Sequence, residues 1–137
     1  MSPEAIFYPA TALVLLTLLV TLLIAYRRWK AGFAREVNPG DFRYGESARV
    51  PGHVSLPNRN YMNLLELPLL FYVACIILYV TKSVDAKAVY LAWAYVALRV
   101  GHSAVHITYN NVFHRLGFFA ASFVVLAVLW ILVFMKL

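Results

Sequence analysis

Four long apolar runs alternate with polar segments along the chain. They cover about residues 5–26, 61–80, 86–107 and 116–135, and a helix needs roughly 20 residues to cross a bilayer. Because lipid offers the backbone no hydrogen-bond partners, each run is predicted to be helical. The pattern therefore predicts an all-α integral membrane four-helix bundle, with residues 1–137 as a single domain.

The first apolar run has two interpretations, a transmembrane helix or a cleaved signal peptide. A signal peptide carries lysine or arginine before its apolar stretch. This chain has Glu4 there, and its cations Arg27, Arg28 and Lys30 come afterwards. No A-x-A cleavage site follows the run, so we interpret it as a transmembrane helix.

The segment 27–58 is polar and rich in glycine and proline, which predicts a loop. Lysine and arginine are concentrated on its side of the membrane: Arg27, Arg28, Lys30, Arg35, Arg43, Arg49 and Arg59. The opposite side has only Lys82, Lys87 and Lys136. The positive-inside rule therefore predicts a cytoplasmic loop, with both termini outside.

Composition supports the membrane assignment. Hydrophobic residues make up 63% of the 137 residues and charged residues 13%, whereas a soluble domain has about 25% charged residues. In so apolar a chain, the net charge of +6 indicates a basic membrane-facing surface and no nucleic-acid partner.

The second run opens with polar residues on one face. Arg59, Asn63 and Glu66 are spaced i, i+4 and i+7, a spacing that places them on the same side of a helix. A charge left in lipid costs about 2.5–3.5 kcal/mol on insertion scales. This face is therefore predicted to meet another polar face or to line a cavity.

The third run has a matching polar face. Arg99, His102 and His106 are spaced i, i+3 and i+7, and Tyr109 lies about one turn further on. We expect the polar faces of the second and third helices to come together near the cytoplasmic surface. His102 and His106 have no third ligand at a recognisable spacing, so no metal site is predicted.

One explanation of these charges is purely structural, with Arg99 neutralising Glu66 inside the bundle. That pairing leaves Arg59, two arginines of the first loop and Arg115 without partners, and the excess of cations indicates an anionic ligand. Arg115, at the start of the fourth run, has two explanations that the residues alone leave open. It extends towards lipid headgroups, or it acts with the helix N-terminus on an anion such as a thiolate.

The chain resembles the MAPEG family, the membrane-associated proteins in eicosanoid and glutathione metabolism. The segment 59–71, RNYMNLLELPLLF, is similar to the family's second-helix signature, and Arg99-Val100-Gly101-His102 is similar to its third-helix arginine-x-x-histidine motif. Arg115 falls where the microsomal glutathione transferases have a thiol-activating arginine. The resemblance covers nearly the whole chain and is closest to a bacterial branch, which implies the bacterial inner membrane.

The resemblance implies a homotrimer that binds glutathione between neighbouring subunits. It implies that Arg115 stabilises the thiolate, and that Arg28 or Arg27 reaches a carboxylate. The other residues implied to bind glutathione are Arg59, Asn63, Glu66, Arg99, His102, His106 and Tyr109. Two positions depart from the family pattern. Many members have tyrosine at the position of His106, and some have tyrosine at the position of Leu67.

The expected function is a membrane-bound glutathione transferase or peroxidase-like protein. Glutathione would enter from the cytoplasm as co-substrate, and a hydrophobic electrophile would enter from the bilayer. The alternative is a non-catalytic interaction or lipid-binding subunit of the same fold. A small transporter is a weaker interpretation, because the sequence has no pair of broken inverted repeats.

Overall fold

The computed structural model describes residues Met1–Leu137 and consists of helices without a strand. Two 3-10 turns, Pro3–Ile6 and Pro39–Phe42, accompany five α-helices. The helices are α1 (Phe7–Phe33), α2 (Gly52–Leu65), α3 (Leu67–Val80), α4 (Ala86–Ile107) and α5 (Val112–Lys136). The all-helical architecture predicted from the sequence is confirmed.

Three stretches are long and apolar enough to cross a membrane, namely Pro3–Phe33, Gly52–Val80 and Val112–Lys136. Helix α4 has 22 residues, about 33 Å of helix, which matches roughly 30 Å of hydrocarbon. Its polar residues Arg99 and His102 lower its hydropathy, but both are buried inside the bundle. Helix α4 packs against α1, α2 and α5, and so completes the four-part bundle.

The second span is broken at Glu66, which separates α2 from α3. Pro68 lies in the first turn of α3 and has no N–H to donate to the preceding turn. The helix is therefore interrupted completely at Glu66, two residues before this proline.

The predicted loop 27–58 is longer than the loop in the structure. Helix α1 continues to Phe33 and α2 begins at Gly52, which leaves residues 34–51 between them. Hydropathy marks where a chain leaves hydrocarbon, and a helix can continue into the headgroup layer with polar residues. Helix α5 likewise begins at Val112 rather than Leu116, because the Asn111 side chain accepts hydrogen bonds from the first-turn backbone.

Loop 34–51 is braced from within by Asp41. Asn38 and Asp41 form a reciprocal capping box around the turn Pro39–Phe42. Ser47 donates to Asp41 Oδ1 at 3.3 Å, and Arg49 Nε lies 3.3 Å from the same oxygen. The loop therefore has a defined course beside the end of α1.

The opposite end of the bundle is closed by Lys136. Its Nζ donates to Asp85 at 2.6 Å and to the Ser83 main-chain oxygen at 2.8 Å. Asp85 also accepts from the Ala88 N–H and so caps α4. The hydrogen bond from Lys136, followed by that from Ala88, holds the pKa of the Asp85 carboxyl below its ordinary value.

Candidate functional site

A cavity of about 410 Å³ lies where α2, α4 and α5 converge. Its lining consists of Arg59, Asn63, His102, His106, Val112, Arg115, Leu116 and Phe119. No carboxylate is among these residues, so the polar part of the wall consists of guanidinium, imidazole and amide groups. Such a wall is suited to an anionic group.

Arg99 lies next to this cavity and is completely buried, with 0% exposure. Its Nη2 donates to the Asn63 main-chain oxygen at 3.2 Å, but Nε and Nη1 are buried without a partner. The Phe119 ring, which lines the cavity, has its centroid 5.9 Å from the Arg99 Cζ. A buried cation with free donors is costly unless a negative group completes its surroundings.

His102 and His106 face each other along α4, with ring centroids 5.7 Å apart. Both imidazoles are buried and line the cavity. The Nδ1 atom of each ring has no hydrogen-bond partner. The two rings therefore have unused hydrogen-bonding capacity, like Arg99.

Arg59 and Arg115 flank the cavity from two different helices, with Arg59 exposed and Arg115 half-buried. Arg115 Nη1 donates to Asn110 Oδ1 at 3.0 Å. Asn110 has φ of +48°, a left-handed conformation that asparagine tolerates better than most residues. The turn between α4 and α5 thus holds the Arg115 guanidinium beside the cavity.

Two polar residues behind the cavity were not among the predicted site residues. Ser103 Oγ donates to Asn60 Oδ1 at 3.1 Å, and both side chains are buried. A signal for them was present in the sequence, because Asn60 precedes Asn63 by three residues and Ser103 follows Arg99 by four. Each therefore extends a polar face that was already recognised.

Glu66 is not among the residues that line the cavity. It is exposed at the break between α2 and α3, and it forms no ion pair with Arg99. The direct ion pair of Arg99 with Glu66, on which the purely structural explanation depends, is therefore not formed. The i, i+4, i+7 spacing assumed an uninterrupted helix, whereas the helix ends at Leu65.

Three further predicted residues lie away from the cavity. Arg28 pairs with Glu46 at 3.2 Å and stacks over the Phe42 ring. Arg27 donates to the His53 main-chain oxygen at 2.9 Å. Tyr109 is exposed, and its hydroxyl lies 2.9 Å from His114 Nδ1. The structure thus gathers Arg59, Asn63, Arg99, His102, His106 and Arg115 at the cavity, whereas Arg28, Glu66 and Tyr109 are not among the lining residues.

The model of the MAPEG family matches residues 6–135. No curated protein and no solved structure matches this chain.

Proposed function

The chain belongs to the MAPEG family, and on that basis we propose that it is a membrane-bound glutathione transferase or peroxidase-like protein. The observation that carries the proposal is the cavity between α2, α4 and α5, which has several cationic side chains and no carboxylate. Its volume of about 410 Å³ lies within the roughly 300–1,000 Å³ of small-molecule sites.

Glutathione has two carboxylates and a thiol, so it needs cationic partners at several points. In the proposed complex, Arg59 and Arg99 pair with the carboxylates. Asn63 and the imidazoles of His102 and His106 supply further hydrogen bonds. The buried Nε and Nη1 of Arg99 favour this assignment, because an anion would satisfy donors that the protein leaves free.

Arg115 is proposed to stabilise the glutathione thiolate. An arginine remains protonated and cannot accept the thiol proton, so the proton leaves to solvent while the guanidinium holds the sulfur anion. Nearby positive charge lowers a thiol pKa from about 8.5 towards neutrality. The thiolate then attacks the electrophilic carbon, forms the C–S bond and displaces the leaving group with its electron pair.

The hydrophobic electrophile is proposed to enter from the bilayer past α5. Val112, Leu116 and Phe119 form the apolar wall of the cavity. Val112 and Leu116 are also exposed on the outside of the helix, so lipid and cavity meet along α5. Glu66 is exposed, and in the homotrimer implied by the family it would contact glutathione bound by a neighbouring subunit.

The test is direct. Purified protein in a neutral detergent is titrated with glutathione by calorimetry and then assayed for conjugation of a generic aromatic electrophile. We expect saturable binding and conjugation above the uncatalysed rate. S-methylglutathione should bind without forming a thiolate. Absence of glutathione binding at millimolar concentration would reject the proposal.

The second candidate function is a non-catalytic lipid-binding or interaction subunit. The hydrogen bond between Arg115 and Asn110 favours it, because this bond gives Arg115 a structural role without any ligand. Glutathione binding without thiolate formation or conjugation would support this candidate.

A further inference from the structure

A second cavity lies at the end of α1, separate from the cationic cavity between α2, α4 and α5. Its volume is about 350 Å³, and it lies between the last turns of α1 and the loop around residues 37–42. The residues that matter for its chemistry are Arg28, Trp29, Phe33, Asn38 and Phe42. We call it the α1-end cavity.

The length of α1 places this cavity at the depth of the lipid headgroups. The first span has 31 residues, Pro3–Phe33, which is about 46 Å of helix. A bilayer has roughly 30 Å of hydrocarbon and 40–45 Å including its headgroup layers. Because the apolar run occupies about residues 5–26, the last turns of α1 extend through a headgroup layer.

The aromatic side chains at the mouth of the cavity fit that depth. Trp29 is 68% exposed and Phe33 is 80% exposed. Their ring centroids are 5.7 Å apart on the same side of α1. Tryptophan is enriched at the boundary between hydrocarbon and headgroups, where its ring lies in lipid and its N–H meets water.

The charges around the cavity leave a cationic surface. Two of the three acidic residues of the segment 34–51 are paired with arginine, Asp41 with Arg49 at 3.3 Å and Glu46 with Arg28 at 3.2 Å. The third, Glu36, lies 3.1 Å from the His53 ring. Lys30, Arg35 and Arg43 are exposed and have no carboxylate partner. A surface of this kind attracts an anionic leaflet.

Arg28 supplies the donor inside the cavity. Its Nη2 is bonded to Glu46, whereas its Nε is buried without a hydrogen-bond partner. The guanidinium stacks over Phe42, with Cζ 4.4 Å from the ring centroid. A planar guanidinium that has one unpaired N–H and lies beside an apolar slot matches a phosphate attached to acyl chains.

We propose that the α1-end cavity binds the headgroup phosphate of an anionic phospholipid from the adjacent leaflet. Arg28 donates to the phosphate, and the first part of an acyl chain lies along Trp29 and Phe33. Lys30, Arg35 and Arg43 favour a headgroup with net negative charge over a zwitterionic one. This site is independent of the glutathione site, and it assigns Arg28 to lipid.

The experiment measures thermal unfolding of the full chain in a neutral detergent. Short-chain phosphatidylglycerol, short-chain phosphatidylcholine and inorganic phosphate are added in separate titrations. We expect phosphatidylglycerol to raise the unfolding midpoint of the wild type by several degrees, phosphatidylcholine to raise it less, and inorganic phosphate to leave it unchanged. Arg28→Gln and Phe33→Ala should each raise the half-effective phosphatidylglycerol concentration at least about tenfold.

Phe134→Ala is the matched control, because Phe134 is also exposed, at 68%, but lies at the other end of the bundle. It should keep the wild-type response. Phe33→Ala keeps the test decisive if Arg28→Gln unfolds, since Phe33 has little contact with the core. Equal responses to the two lipids, a response to inorganic phosphate alone, or an unchanged response in Phe33→Ala would each overturn the proposal.

Discussion

The buried Arg99 donates a hydrogen bond to the main-chain oxygen of Asn63, at 3.2 Å, across the contact between α4 and α2. This oxygen is available because α2 ends at Leu65, so Asn63 has no helical donor four residues later. The break near Pro68 therefore creates the acceptor that holds Arg99 beside the cavity. The end of α2 thus determines where the Arg99 guanidinium of α4 lies.

Arg99→Met should separate ligand binding from folding. The change removes a buried charge with two free donors but also removes the partner of the Asn63 oxygen. These effects oppose each other, so the unfolding free energy should change by no more than about 2 kcal/mol. Glutathione affinity should fall more than about tenfold, or 1.4 kcal/mol. Calorimetry and thermal unfolding measure the two quantities, and a large loss of stability with intact binding would show that Arg99 is structural.

Arg59→Ala should weaken glutathione binding more than about tenfold, because it removes a cation from the rim of the cavity. The fold should not change, since Arg59 is exposed and makes no ion pair. Arg35→Ala is the control, because Arg35 is an exposed arginine in the loop, outside the cavity. Similar affinities in both variants would mean that the cavity is misassigned.

Arg115→Ala should keep much of the glutathione affinity but lose most of the bound thiolate. The reason is that Arg59 and Arg99 remain available for the carboxylates, whereas the sulfur loses its nearby positive charge. Thiolate absorbance of the complex, measured against pH, should shift to higher pH, and conjugation should slow. Superimposable titrations for wild type and variant would favour the non-catalytic function.

Gly101→Ala should destabilise the contact between α4 and α5. A Cβ at this position would lie 2.5 Å from Phe118 Cε1, so the ring must move. Overpacking of this kind typically costs about 1–3 kcal/mol. Gly117→Ala, on the facing helix, has nothing within 4 Å of the new Cβ and should be neutral or slightly stabilising. Unfolding midpoints of the two variants test this, and equal values would contradict the packing.

The pair of Asp85 and Lys136 should make stability depend on acid pH. The pKa of Asp85 is lowered in the folded protein, so its contribution is fully present above its unfolded pKa of about 4. The contribution is lost as pH falls through the folded value. Asp85→Asn should reduce stability at pH 7 by up to about 1 kcal/mol and should show a shallower loss below pH 4. Identical pH profiles of unfolding would contradict this.

The sequence predicted the helical bundle well because its apolar runs are long and distinct. It also predicted that one face of α2 and one of α4 would meet, since Arg59 and Asn63 share one face and Arg99, His102 and His106 share the other. These residues lie together in the structure. Helical periodicity is sufficient to predict which residues share a face as long as the helix is not interrupted.

The positions of other predicted site residues depend on tertiary contacts, which helical periodicity does not predict. Glu66 does not lie on the expected face, because the helix is interrupted at that residue. Arg28 contacts Glu46 and Phe42, which lie in a loop whose conformation cannot be predicted from periodicity. The spacing of Asn60 and Ser103 places them on the two polar faces, but it does not show that they bond to each other, because that contact depends on how α2 and α4 pack.

The break at Glu66 also bears on how the chain enters a membrane during synthesis. Helix α3 has 14 residues, about 21 Å, which is shorter than the roughly 30 Å of hydrocarbon. The polar helix α2 must complete the crossing, and its Asn63 oxygen finds its donor on α4. The second crossing therefore depends on α4, because a main-chain oxygen without a donor is costly in hydrocarbon.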